Sequence, residues 1–275
     1  MKQYTYNLKL EHTASKFKAY KITEQPPSCD LRSKCPAVYD QLQIGSCTAN
    51  ALVAAYEFDD MSLFGSRLFL YYNERLLDND ISQDAGSTLS QGINALVKYG
   101  VCHENLWTYV DDGVKYKTKP TDGCYTDAKS HEIVTYNNVP QNLTSMKQCL
   151  LDGFPFVVGI SIYESFESDT VAHTGIVPMP QSTEKELGGH AVMCVGYDNS
   201  KNCFIMRNSW GTGWGDKGYF YIPYDYLTNT TLTGDLWEIK KVMPDSEPNP
   251  PPNPPPIIPI NPSSNTTPEC QCTIQ

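Results

Sequence analysis

Along the first half of the chain, apolar side chains recur at intervals of three and four residues. After Gly45-Ser46 comes Cys47-Thr-Ala-Asn-Ala-Leu-Val-Ala-Ala-Tyr-Glu-Phe, rich in alanine and with Leu52, Val53 and Tyr56 at helical spacing, which predicts a helix starting at Cys47. Arg67 to Leu77 predicts a second helix, and Leu89, Ile93, Leu96 and Val97 mark a third that stops at Gly100. Beyond a short helix expected at Leu143 to Leu151, the period changes. The runs Phe154 to Ile162, Ala191 to Tyr197, Phe204 to Arg207, Tyr219 to Ile222 and Leu236 to Val242 are β-branched or aromatic and bounded by turn residues, as strands are. Asp198-Asn-Ser-Lys-Asn202 reads as a hairpin loop between two of them. Helices followed by strands predict an α+β fold of two segregated lobes, and the cleft between lobes is the usual place for a site.

The two ends of the chain follow neither period. Eleven of the 20 prolines fall between Pro244 and Pro268, so residues 244–275 are expected to form an extended or disordered tail. Such a tail serves as a solvated spacer, a ligand for a proline-recognition partner or, through its terminal Glu-Cys-Gln-Cys, an intermolecular disulfide handle. Pro26-Pro27 separates a polar N-terminal extension, residues 1–28, from a folded domain expected at 29–243. Polar and aromatic residues alternate in the extension (Tyr4, Tyr6, Phe17, Tyr20), which suits a strand-like inhibitory propeptide lying in or beside the cleft. A disordered leader is the alternative.

Charge and cysteine usage remove several function classes. The net charge of −10 repels phosphate backbones and anionic lipid, so neither nucleic acid nor a membrane surface is an expected partner. No apolar run is long enough to span a bilayer, and the start lacks the apolar stretch of a signal peptide. The expected setting is therefore a compartment of reduced thiols, cytoplasmic or packaged as in a virion, and the sequons at Asn142, Asn229 and Asn265 carry weight only on a secretory route. None of the ten cysteines forms a Cys-x-x-Cys pair, which excludes a zinc ribbon or a thioredoxin-type motif. No cluster of Asp, Glu and His shows metal-ligand spacing, so no metal and no other cofactor is expected, and His12, His103 and His131 read as solvated.

Four residues offer the parts of a thiol nucleophile's machinery. Cys47 starts its helix, where free N–H groups and the helix dipole favour thiolate. Gln41, six positions upstream, is placed to bring its amide beside the Cys47 N–H as an oxyanion hole. Gly188-Gly189-His190-Ala-Val opens a strand, and Asn208-Ser-Trp-Gly-Thr-Gly-Trp-Gly follows on the partner strand after the hairpin. A His and an Asn facing each other across a hairpin hydrogen-bond, Asn holding the imidazole tautomer while Trp210 keeps water away. His173, the competing base, has no such block after it and reads as a cleft-wall or surface residue.

Gln41-Leu-Gln-Ile-Gly-Ser-Cys47-Thr-Ala-Asn-Ala, Gly189-His190-Ala-Val and Asn208-Ser-Trp-Gly-Thr-Gly-Trp-Gly-Asp-Lys-Gly-Tyr219 together resemble the papain family of cysteine peptidases over roughly residues 30 to 242. Tyr99-Gly-Val-Cys-His-Glu and Gly153-Phe-Pro-Phe-Val-Val-Gly-Ile agree, while Val38-Tyr-Asp-Gln41 and Tyr224 to Leu227 look more like bacterial and viral members than animal cathepsins. The resemblance implies a helical N-terminal lobe, an antiparallel β-sheet or barrel as the C-terminal lobe, and catalysis by Cys47, His190, Asn208 and Gln41. It also implies substrate binding by Gly189, Trp210 and the pair Gly86-Ser87, which stands where the family usually has two glycines. Thr48 and Ile44 stand where such enzymes usually carry Trp and Cys, so the usual disulfides of the first lobe lose partners. Residues 1–28 show no extended heptad or helix signature, so the long helical propeptide of many relatives is not expected in them. The implied activity is endopeptidase hydrolysis through a thioester. Acyl transfer to an amine is a rival separable by product analysis with added amine, and an inactive binding module recruited by its proline-rich tail is another, whose expected mark is a lost nucleophile or base.

Overall fold

The computed structural model describes residues 4–11 and 17–241. In chain order the elements are β1 (Ser28–Asp30), α1 (Cys47–Asp59), α2 (Arg67–Leu77), α3 (Leu89–Tyr99), α4 (Asp122–Ala128), β2 (Ile133–Asn138), α5 (Leu143–Leu151), β3 (Phe156–Tyr163), α6 (Asp169–Thr174), β4 (Glu186–Asp198), β5 (Cys203–Arg207), β6 (Tyr219–Pro223), α7 (Tyr224–Thr228) and β7 (Thr233–Lys241). The helical half and the strand half separate as the hydrophobic pattern requires. The seven strands form one antiparallel sheet in the order β2-β7-β3-β4-β5-β6, with β1 added beside β4. The sheet is open, so of the two expected forms, sheet and barrel, it is the sheet that forms.

α1 organises the molecule. Its alanines let helices and strands approach closely, and it packs on β4 and β7 on one side and on α2 and α3 on the other. Eleven of its residues, Cys47 to Glu57, are buried, so this helix has no polar face. α2 and α3 cover it and begin at Ser66 and Thr88, whose hydroxyls accept the backbone N–H of Phe69 and Gln91. The long β4 pairs with β3 (Ile160 opposite His190) and with β5 (Met193 opposite Arg207), so His190 and the residue following β5 end side by side. A second tie joins the lobes. Gln41 N–H donates to Ser209 C=O and Gly211 N–H to Tyr39 C=O, so the segment before α1 is fastened to the segment after β5.

The N-terminal segment does not extend away. Leu8 is buried against the apolar core, and residues 17–27 continue along the strand lobe, with Lys18 N–H on Asn138 C=O, Lys18 and Tyr20 on the buried Glu238, and Thr23 on Gln148. Phe17 is exposed, so of the four aromatic residues of the extension it fills no pocket. The proline-rich segment, His12, Cys270 and Cys272 lie outside the described residues. Among the described residues no helix is long and apolar enough to cross a membrane, and the eight cysteines are all free thiols.

Candidate active site

Cys47 is the first residue of α1, and its N–H has no acceptor within the helix. His190 Nε2 lies 2.8 Å from Asn208 Oδ1. The same oxygen accepts the N–H of Ser209 at 2.8 Å, which fixes the orientation of the Asn208 amide. An oxygen can only accept, so His190 carries its proton on Nε2 and presents a lone pair at Nδ1. Nδ1 is buried and makes no hydrogen bond. Gln41 is equally fixed: its Oε1 accepts from Ser209 Oγ at 2.6 Å, and Nε2 donates one hydrogen to Ile44 C=O at 3.0 Å, leaving the other for an acceptor. Below it, Tyr109 donates to Gln41 C=O and pairs with Oγ of Ser46, the residue before Cys47.

Trp210 closes one wall. Its ring stacks on His190 with 4.9 Å between centroids and meets Phe166 and Trp214 edge-on. The glycine-rich block after β5 thus builds an apolar shell around the His190–Asn208 hydrogen bond. The other wall is the N-terminal segment. Tyr4 stacks on Trp210 at 3.9 Å, and Tyr6 meets both His190 and Trp210 edge-on. Leu8 N–H donates to Gly189 C=O and Lys9 N–H to Ser87 C=O, so the segment bridges the two sides of the cleft. A Cβ on Gly86 or Gly189 would collide with the backbone of Asn7 or Leu8, and Gly86 also has φ +66°. Those two positions accept no side chain while the segment is seated.

Burial under this cover sets the ionisation. Cys47 and His190 are both 0% exposed. Burial pushes the Cys47 thiol up to about 12, against the pull of backbone N–H groups at Ala191, Thr48 and Cys47. Burial likewise depresses His190 to about 4, partly offset by Asn208. The expectation of a thiolate at the helix start is therefore not met in this state: desolvation outweighs the helix terminus, and both groups are neutral at pH 7. One further titratable group lies near Cys47. Glu74 of α2, wholly buried, accepts from Thr48 Oγ1 at 2.6 Å and is raised by burial to about 8. Nothing in the sequence marked Glu74, because an acidic residue in a helix ordinarily reads as part of a solvated face.

The remaining histidines fall elsewhere. His173 is exposed on α6 and lines a cavity of about 620 Å³ with Ile176, Lys201, Lys217 and Tyr221, apart from Cys47. His103 and His131, read from the sequence as solvated, are half-buried and share one neighbour, Asp127.

The fold and this constellation together define a cysteine peptidase of the papain type. The model of the papain family of cysteine proteases matches residues 25–233, and the chain belongs to that family. It is 43% identical over 217 residues to an uncharacterized peptidase C1-like protein of Acanthamoeba polyphaga mimivirus, covering 74% of this chain and 69% of the relative. It is 30% identical to cysteine proteinase 2 of Entamoeba histolytica, covering 79% and 70% of the two chains. Among solved structures, xylellain, a cysteine protease from Xylella fastidiosa, aligns with a TM-score of 0.79 at 38% identity, covering 86% of this chain and 97% of its own. The bacterial and viral character of the motifs thus agrees with the relatives found.

Proposed function

We propose that the chain is an endopeptidase acting through a Cys47 thioester, held latent by its own N-terminal segment. The observation that carries this reading is the His190–Asn208 hydrogen bond, which leaves a buried Nδ1 with no hydrogen-bond partner to serve as the base. Once the segment leaves, water returns to the cleft, and the desolvation that keeps the pair neutral is relieved. Cys47 then gives its proton to His190 Nδ1. The thiolate bonds to the scissile carbonyl carbon, and the oxyanion takes hydrogens from Gln41 Nε2 and the Cys47 N–H. The imidazolium protonates the departing amine as the C–N bond breaks. Water, deprotonated by His190, then cleaves the thioester and restores the thiol. Asn208 keeps the tautomer through both halves, and Trp210 keeps water from the hydrogen bond that does so.

The carbonyls of Ser87 and Gly189 accept N–H groups of Lys9 and Leu8 in the covered state. In the open state the same carbonyls hold the backbone of a peptide substrate, with Gly86 giving it room. The segment therefore occupies the substrate's place and competes with it. The direct test is hydrolysis of an unfolded protein substrate by chains with and without residues 4–11 in place over the cleft. The uncovered chain should turn over much faster than the covered one, and Cys47→Ala should lower the uncovered chain's rate by more than about 10⁴-fold. Turnover that survives this substitution contradicts the assignment.

A further inference from the structure

We propose that His103, Asp127 and His131 form a binding site for a transition-metal dication, with zinc the cation that suits their donor set best. The site is in the helical lobe and is independent of the peptidase reading. The three residues come from two stretches of chain that the backbone holds together. His103 lies just after α3, three residues beyond Gly100, whereas Asp127 is in the last turn of α4 and His131 follows four residues later. Val101 N–H donates to His131 C=O and His131 N–H to Ala128 C=O, so the two histidine-bearing segments are pinned side by side. Asp127 takes both the backbone N–H of His103 and its Nδ1, each at 2.9 Å. The two imidazole rings meet edge to face with centroids 4.9 Å apart. One ligand atom from each residue lies within 4.8 Å of the others.

Two imidazoles and a carboxylate are a borderline N/O donor set, favouring zinc, cobalt(II) or nickel(II) over magnesium or calcium, which prefer all-oxygen shells. Three protein ligands leave a fourth position for water. In a tetrahedral site, ligand atoms about 2.0–2.2 Å from zinc lie about 3.3 Å from one another. The His103–Asp127 hydrogen bond, 2.9 Å, widens by a few tenths of an ångström and loses its proton when a cation takes its place, and the three ligand atoms, now within 4.8 Å of one another, draw together around it. The His103 side chain is 40% exposed and that of Asp127 27%, so a hydrated cation has access. The molecule's net charge of −10 favours its approach. Sequence spacing hides the site because one ligand comes from 24 residues upstream. Asp127 and His131 are four residues apart, but α4 ends at Ala128, so they do not share a helix face. A bound cation would join the loop after α3 to α4. That same loop carries Trp107, whose C=O holds Ser66, and Tyr109, which supports Gln41.

The test is a titration of the full, chelator-treated chain with cobalt(II), followed by its visible d–d absorption. A near-ultraviolet thiolate-to-cobalt band would report binding through cysteine instead. The expected result is a single equivalent bound below about 100 µM without a thiolate band, and weakening by at least about tenfold in each of His103→Gln and His131→Gln. Asp127→Asn keeps an acceptor for the His103 N–H while removing the carboxylate, and it should show the same loss. Metal-free melting curves of the three variants identify any that fails to fold, and the folded ones decide the matter. Equal affinity in wild type and folded variants, a dominant thiolate band, or no binding at about 1 mM overturns the proposal and leaves a His–Asp ion pair.

Discussion

Glu74 shows how a single residue near Cys47 couples stability to pH. Its folded pKa of about 8 lies above its ordinary value of 4.5 because burial disfavours the charge. Between those values the folded chain holds a proton that the unfolded chain has released, so stability declines as pH rises through this window and stays reduced above it. Glu74→Gln keeps an acceptor for Thr48 and has no charge to bury. It should raise the melting temperature by a few degrees at pH 9 and change it little at pH 4, as differential scanning calorimetry would show. In catalysis, Gln41→Ala should lower kcat by about 10²-fold, since it removes one oxyanion donor. Asn208→Ala should lower it by at least about tenfold and distort the pH profile, because the imidazole tautomer is no longer held. The residues behind these expectations differ in how far the sequence exposes them. Cys47, Gln41, His190 and Asn208 stand in distinctive local blocks that show at a glance. Glu74 and Asp127 carry no local mark, and their character comes from what folds over or beside them.

At the level of elements, the clearest sequence signals are helices that combine an apolar stripe with a cap. α2 and α5 run from Arg67 to Leu77 and from Leu143 to Leu151, matching the periodicity, because Ser66 and Asn142 mark their starts. Asn142→Ala should accordingly cost about 1 kcal/mol in a denaturant midpoint measurement, since the Ser145 N–H loses its acceptor. α1 is legible for a different reason: buried on every side, it shows through alanine content more than through a stripe. α4 and β2 escape sequence reading. Asp122-Gly-Cys-Tyr-Thr-Asp-Ala offers a glycine and no apolar stripe, and Ile133-Val-Thr-Tyr-Asn-Asn is short with a polar end. β4 begins at Glu186, earlier than the apolar run that starts at Ala191, because Gly188 and Gly189 pair with β3 while presenting bare backbone to the N-terminal segment. In one dimension the glycines only open the strand; in three they are a contact surface.

For the molecule as a whole, the account rests on competition for one cleft. The two lobes are legible in the order of helices and strands, and the alternation of polar residues with Tyr4 and Tyr6 points to a segment in or beside the cleft, but the surfaces on which residues 4–11 lie are not legible. Their placement depends on surfaces supplied by both lobes: Trp210, Gly189 and Ser87. Seated there, the segment leaves Cys47 protonated and His190 neutral, and displacing it is expected to ionise the pair. The most direct measurement is the rate of Cys47 alkylation by iodoacetamide against pH, read by mass spectrometry, in the full chain and in a Tyr4→Ala, Leu8→Asp double variant. The account predicts that the full chain reacts appreciably only at strongly alkaline pH, as a thiol near 12 requires. The double variant should react at neutral pH at least about 100-fold faster, with a coupled Cys47–His190 profile. Equal rates and equal pH profiles in the two proteins would contradict it.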